Sequence, residues 1–405
     1  MKKREEEYGQ EAFYLLEYEK KKMQEYAGSL NSLAAIFLMK PQAKEEVDRQ
    51  TLLQERRKEE DRCLFGGQLK QMAEVIEKTS RESVQIIRLE KKKEKKMARM
   101  LSLEGLILEE FYLLEKEDGR REAVVSLRRG RGKSGKKVCS DEEVAGYLSV
   151  LLNMHLIPCG RPPFFVAEKT QTMYFQEENH YMVLSGFAKA IKEGEKVSGD
   201  NHRFFESADG WFCTGLSDGM GSGEKACKDS ELIMDMAERF ISTGFAPEMA
   251  LQLINDTLIM GGENRNMSTM DFCRINLYTG EVELIKVGAA ATFLKQGEQI
   301  EEITCDGLPL GVFSRLEPIT QTRMLQDGDY IIMCSDGITD CLQSPEQKEE
   351  FRKRMVKIPY CRPGQMANYL LESVIRLAKG RIRDDMTILV IGVWENEKGY
   401  DTIHT

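Results

Sequence analysis

Four aspartates constrain this chain more tightly than any other feature. Each stands where an apolar, strand-like run meets glycine or a tight turn. They are Asp218 in Ser217-Asp218-Gly219-Met220-Gly221, Asp336 in Ser335-Asp336-Gly337, Asp200 in Ser198-Gly199-Asp200-Asn201, and one of the pair in Arg383-Asp384-Asp385-Met386-Thr387. Adjacent residues on an extended segment point opposite ways, so only one of Asp384 and Asp385 can join the others. Carboxylates that a sheet brings to one point repel unless cations neutralise them. Oxygen ligands without paired His or Cys predict a hard ion, magnesium or manganese rather than zinc. Asp218 is expected to bridge, with the Gly219 carbonyl oxygen beside it. Taken singly, an Asp-Gly step is more often a turn aspartate capping its own loop. Four of them in one domain favour a metal site.

The surrounding pattern predicts the fold. From about Thr170 onward strand alternation dominates: Tyr181–Lys189, Trp211–Ser217, Ala291–Lys295, Tyr330–Ser335 and Thr387–Trp394 read as strands. Thr269–Leu277 and Val282–Val287 form a hairpin around Tyr278-Thr279-Gly280. Helices are expected over Gly223–Gly244, Ala246–Met260 and Gly364–Lys379. Antiparallel strands with helices grouped apart imply an α+β fold, two sheets in a β-sandwich flanked by helices. Upstream, strands at Leu106–Leu114 and Arg121–Leu127 and a helix capped at Ser140-Asp141-Glu142-Glu143 predict a small α/β module. The first hundred residues hold almost no glycine or proline and read as helix. Met23, Tyr26, Leu30, Leu33 and Phe37 form one stripe; Phe65, Leu69, Met72, Ile76 and Thr79 form a second, on a helix expected from Gln42 to Lys96. A hairpin and a dimerising coiled coil both satisfy these stripes. The expected division is 1–98 helical, 99–170 α/β module, 171–396 sandwich and 397–405 tail.

Charge and cysteine usage narrow the chemistry. Residues 151–405 carry 26 basic against 38 acidic residues, a balance that disfavours nucleic acid as a partner. The Arg128–Lys137 loop, with six basic residues among three glycines, reads as an exposed turn. Ten cysteines show no metal-binding spacing, which suits free thiols in a reducing cytoplasm. No apolar run approaches the roughly 20 residues that span a bilayer. None of the four histidines has a nucleophile or zinc setting; His202 is expected in an exposed loop. A Ser/His/Asp hydrolase is therefore unsupported, and Gly223-Glu224-Lys225-Ala226 lacks the Gly-Lys-Ser/Thr ending of a phosphate-binding loop. Two hard cations side by side clamp a phosphoryl group and activate water, so phosphate ester hydrolysis is the expected reaction.

From about Val183 to Val393 the chain resembles PPM-type (protein phosphatase 2C-like) serine/threonine phosphatases, and most closely the catalytic domain of the stage II sporulation protein E (SpoIIE) family. The resemblance is carried by Val197-Ser198-Gly199-Asp200, Leu216-Ser217-Asp218-Gly219-Met220-Gly221-Ser222-Gly223, Ser268-Thr269-Met270-Asp271, Lys286-Val287-Gly288-Ala289, Gly307-Leu308-Pro309-Leu310-Gly311, Met333-Cys334-Ser335-Asp336-Gly337 and Asp384-Asp385-Met386-Thr387. It implies two Mn²⁺ or Mg²⁺ ions, with Asp218 and Gly219 bridging, Asp336 and Asp384 completing one site and Asp200 on the other. Asp218, Asp336 and Asp384 are then the catalytic set. The implied substrate is phosphoserine on an anti-anti-sigma factor, whose dephosphorylation activates a sporulation sigma factor. A related stress-response phosphatase with another anti-anti-sigma substrate and a scaffold binding partners through its helices are the alternatives.

The chain also departs from that family. Met220 stands where many members have a histidine after Asp-Gly, and the phosphate-holding arginine of eukaryotic members has no clear counterpart. The family's membrane-spanning region is missing, which implies a fragment or a soluble homologue. The expected location is the cytoplasm, with septum recruitment or membrane association only through a missing region or a partner. A homodimer through the N-terminal helices is a further expectation.

Overall fold

The computed structural model describes residues 23–24, 26–35, 38, 49–81, 85–87, 89–116, 119–130, 139–159, 165–207, 210–260, 267–305 and 307–396. These form two compact units. One runs from Tyr181 to Glu395 and includes the N-terminal stretch to Ser80; the other holds Arg81–His180.

At the N-terminus, α1 (26–35) and α2 (Arg49–Arg81) pack on small residues. A side chain added at Gly66 of α2 would meet Leu38 and the Ala34 carbonyl, and Ala27, Ala34 and Ala73 are buried. The two helices therefore touch within one chain. The large apolar stripe residues Met23, Tyr26, Leu33, Phe65 and Met72 face outward instead. Phe37 lies outside the described residues. The helix expected from Gln42 to Lys96 does not run through. Gln85–Ile87 is strand β1, because the Ile86-Ile87 pair aligns with Leu113-Leu114 of the next strand, and helix resumes only at α3 (Lys91–Leu103).

In the smaller unit, β2 (Leu106–Glu115), β3 (Arg121–Arg129), α4 (Asp141–Leu152), β4 (Leu156–Pro158) and β5 (Gln171–Glu177) follow. The sheet order is β1-β2-β3-β5-β4. Helix α4 opens at the expected N-cap, and the structure makes it a capping box: the Ser140 hydroxyl accepts from the Glu143 amide, and the Glu143 carboxylate accepts from the Ser140 amide. Met97 and Leu101 of α3 and Leu148 of α4 pack on Val125, Met173 and Phe175. Most of the basic loop, residues 131–137, lies outside the described residues, as does Asp118 of the expected β2–β3 turn.

The larger unit is the sandwich that the alternation predicts. One sheet contains β7 (Asp200–Glu206), β8 (Trp211–Asp218), β9 (Met270–Asn276), β10 (Glu281–Val287) and β13 (Ile319–Met324), in the order β13-β10-β9-β8-β7. The other contains β6 (Tyr181–Ala190), β11 (Thr292–Gln296), β12 (Gln299–Ile303), β14 (Tyr330–Cys334) and β15 (Met386–Glu395), in the order β12-β11-β14-β15-β6. Period-two alternation sorts each strand. Cys273, Ile275, Leu284, Leu294, Ile331, Met333, Leu389 and Ile391 fill the space between the sheets. Their neighbours face helices: Met270, Phe272 and Ile285 meet α5 (Gly223–Ser242) and α6 (Pro247–Met260). Ile332, Ile388 and Val390 meet α7 (Asp336–Cys341), α8 (Pro345–Lys357) and α9 (Pro363–Leu377).

Helix α8, missed in the sequence because it is strongly polar, is held by one aromatic anchor. Phe351 is 1% exposed and meets Phe293 edge-on at 6.0 Å between ring centroids. Ser344 and Gln347 cap its start. Phe351→Ala should cost about 3–5 kcal/mol and Ser344→Ala about 1 kcal/mol. Urea unfolding of the two variants side by side checks both values.

Candidate metal and active site

The four sequence-selected aspartates lie in a row at one end of the sandwich. Asp200 and Asp218 are direct cross-strand partners on β7 and β8. Like charges in that relation destabilise a sheet. Asp200 is fully buried; its Oδ2 accepts a 2.6 Å hydrogen bond from the Thr387 hydroxyl of the facing sheet, while Oδ1 is buried with no hydrogen-bond partner. Burial first, then the charges of Asp200 and Asp336, pushes the Asp218 carboxyl up to about 9. Burial likewise raises Asp200 to about 6, against the Thr387 hydrogen bond. Asp336 is raised by burial and then by Asp384.

The carboxylates are thus neighbours in series, Asp200 to Asp218 to Asp336 to Asp384. Among the described residues, no three His, Cys, Asp or Glu side chains are gathered closely enough for one ion. The donor set, all oxygen with an unpartnered oxygen buried among it, fits hard divalent cations and not zinc.

Backbone packing holds these ends in place. A Cβ on Gly219 would collide with the Ala226 carbonyl oxygen, so α5 can dock against the β8 end only on glycine. A Cβ on Gly337 would collide with the Asp385 carbonyl oxygen, so the same device seats Asp336 beside the segment that carries Asp384. Ser217 Oγ contacts Ser268 Oγ at 2.8 Å and donates to the Thr269 carbonyl at the same distance; the Asp218 amide donates to Thr269 Oγ1 at 3.2 Å. Ser230 of α5 donates to the Gly199 carbonyl at 2.5 Å. The residues just before β9 and in α5 therefore act as splints for the turns that present Asp218 and Asp200.

Asp384 and Asp385 part company as their adjacency predicts. Asp385 is buried, its Oδ1 accepting from the Lys192 amide at 2.9 Å and its Oδ2 from the Gly199 amide at 2.7 Å. Asp384 has a half-exposed side chain whose Oδ1 lies 3.3 Å from Lys192 Nζ. The clamp role of Asp385 had a signal in the sequence, the two-residue period, but nothing named its partners. His202 corrects another expectation. It lies within strand β7, not in an exposed loop, with its ring 4.2 Å from that of Phe187 and 5.3 Å from that of Phe204. Burial depresses it to about 4, so it is neutral near pH 7. Met220 is exposed beside Asp218 and carries no proton to donate.

Residues 208–394 match the family described as Stage II sporulation protein E (SpoIIE). The stretch is similar to the PP2C-type phosphatase domain of that family. The chain is 31% identical over 230 residues to Stage II sporulation protein E of Bacillus subtilis, covering 56% of this chain and 28% of that protein. It is 21% identical over 206 residues to the phosphoserine phosphatase RsbU of the same species, covering 49% of this chain and 60% of RsbU. The solved structure of the PP2C phosphatase domain of B. subtilis SpoIIE with a fragment of its regulatory domain superposes with a TM-score of 0.60 at 25% identity. That match covers 87% of this chain and 99% of the solved one. The chain spans just over a quarter of the B. subtilis SpoIIE protein.

The two adjacent aspartates should give opposite phenotypes. Asp385→Ala strands one buried and one part-buried backbone N–H group and should cost about 2–5 kcal/mol of stability. Asp384→Ala removes an exposed ion pair and a hydrogen bond from the Asp385 amide and should stay within about 1 kcal/mol; if Asp384 is a metal ligand, phosphate release is lost with it. Chemical denaturation together with phosphate release separates the clamp from the ligand.

Proposed function

We propose that the chain is a metal-dependent protein serine phosphatase whose substrate is phosphoserine on an anti-anti-sigma factor, and that its product activates a sporulation sigma factor. The observation that carries this reading is the row of mutually repelling carboxylates at the sandwich end, inside the stretch that matches the SpoIIE family. Asp218 with the Gly219 carbonyl would hold the shared position, Asp336 and Asp384 would serve one Mn²⁺ or Mg²⁺ ion, and Asp200 would serve the second. When bound, these ions supply the positive charge that draws in phosphate and makes water a nucleophile at neutral pH.

The chain's own residues then do the positioning. Thr387 fixes the Asp200 carboxylate, leaving Oδ1 free to ligate. Asp385 holds the backbone of Lys192 and Gly199, so the loop between β6 and β7 is anchored next to Asp384. The Lys192 ammonium, one-third exposed beside Asp384, is placed to meet an incoming phosphate oxygen. No histidine occupies the Met220 position, so proton delivery to the leaving serine falls to water.

Helices α1 and α2 leave Tyr26, Leu33, Phe65 and Met72 exposed, which supports a dimer through that region. The reading places the active protein in the cytoplasm, with septum recruitment through a partner. Among the described residues no helix is long and apolar enough to cross a membrane.

Phosphate release from a phosphorylated anti-anti-sigma factor, measured with Mn²⁺ and after chelation, tests the reading. Turnover should need the metal and fall by about a hundredfold or more in Asp218→Asn and Asp336→Asn. Turnover of a stress-response substrate alone would move the assignment to that alternative. No turnover and no metal binding would leave a scaffold.

A further inference from the structure

One lysine ammonium is sealed inside the sandwich. Lys286 on β10 has no solvent exposure, and its Nζ lies 2.5 Å from Asp271 Oδ2 on β9. Thr292, on β11 of the facing sheet, completes the group: its Oγ1 is 2.9 Å from Lys286 Nζ and 2.5 Å from Asp271 Oδ2. All three occupy inward positions of their strands, in step with Cys273, Leu284 and Leu294 of the inner core. A buried ion pair is a poor way to gain stability, since apolar side chains of similar volume serve as well or better.

Its location suggests another use. Asp271 lies directly opposite both Lys286 and Leu216, two residues before Asp218. Thr292 lies opposite Met333 of β14, three residues before Asp336. Asp271 also lines a small cavity together with Asp218, Thr269, Ser335 and Asp336, and its Oδ1 is buried without a hydrogen-bond partner. The group therefore ties the strands that lead to Asp218 to those that lead to Asp336, just beneath the two carboxylates.

We propose that Lys286, Asp271 and Thr292 form a cross-sheet strut that positions Asp218 against Asp336 for cation binding. The proposal rests on the metal site proposed for this chain. The three are positioning residues: none needs to touch the ion or the substrate. The strut fixes the separation of the two sheets at the site, and the lysine keeps the Asp271 charge from adding to the four already crowded there. Removing the ammonium or the hydroxyl loosens that separation, so the ligands no longer meet an ion in one geometry.

Calorimetric titration of Mn²⁺ into the full chain tests this without relying on turnover. Lys286→Met and Thr292→Val should each weaken Mn²⁺ binding by about tenfold or more, the usual effect of removing an outer partner of metal ligands. Thr292→Ser, which keeps the hydroxyl, should recover most of the loss. Folding is checked by circular dichroism. If Lys286→Met does not fold, the contrast between Thr292→Val and Thr292→Ser decides the question alone. Folded variants that bind Mn²⁺ as tightly as the unaltered chain would overturn the strut and leave the metal site intact. An unaltered chain that binds neither Mn²⁺ nor Mg²⁺ would overturn the metal site and the strut with it.

Discussion

Repulsion among crowded carboxylates is the constraint on which the rest of this structure depends. Four aspartates in series at one end of a sandwich oppose folding, and desolvation makes the charges of Asp200, Asp218 and Asp336 harder to keep. Everything around them resists their separation. Glycines let backbone pack where a side chain would collide, hydroxyls at Ser217, Ser268 and Thr269 tie the β8 end to the β9 start, and Asp385 anchors the loop before β7. A protein organised in this way holds a high-energy arrangement ready for a cation.

Within the sandwich, apolar and polar cross-sheet contacts divide the labour. Leucine, isoleucine and methionine fill the middle. Polar links cross the gap toward the aspartate end, among them Thr387 to Asp200, the Lys189 ammonium to the Asp200 carbonyl, and Thr292 to the Asp271–Lys286 pair. Apolar contacts set how strongly two sheets adhere but are lax about distance and register. Hydrogen bonds of fixed length are strict about both, so they belong where ligand spacing decides function.

Much of this was legible in the sequence, for physical reasons. Period-two alternation marked the strands of the inner core, and Tyr278-Thr279-Gly280 marked the β9–β10 hairpin, which forms between Asn276 and Glu281. The inability of neighbouring residues to face the same way separated Asp384 from Asp385. What escaped was non-local. Strand β7 is too polar to read as a strand, because its inward positions hold Asp200, His202 and Phe204 instead of an aliphatic run. Helix α8 has hardly any apolar residues and borrows its stability from Phe351. In the N-terminal helices the apolar stripes suggested the contact, but alanine and glycine make it, since small residues let backbones approach. Lys286 and Asp271 stood within recognisable stretches, yet only the register across strands shows that they meet.

The strand order has a consequence for synthesis. Strand β6 is built first in its sheet, and β15, which lies between β6 and β14, is built last. Until β15 arrives, β6 has no partner in the sheet and Asp384, in the turn before β15, has not joined Asp200, Asp218 and Asp336. The sheet closes through a pairing of residues about two hundred positions apart, the kind of contact that forms late in folding. A growing chain therefore passes through a long interval in which most of the fold exists and the four aspartates are not yet together. The aspartate end is complete only when the final strand slides into place.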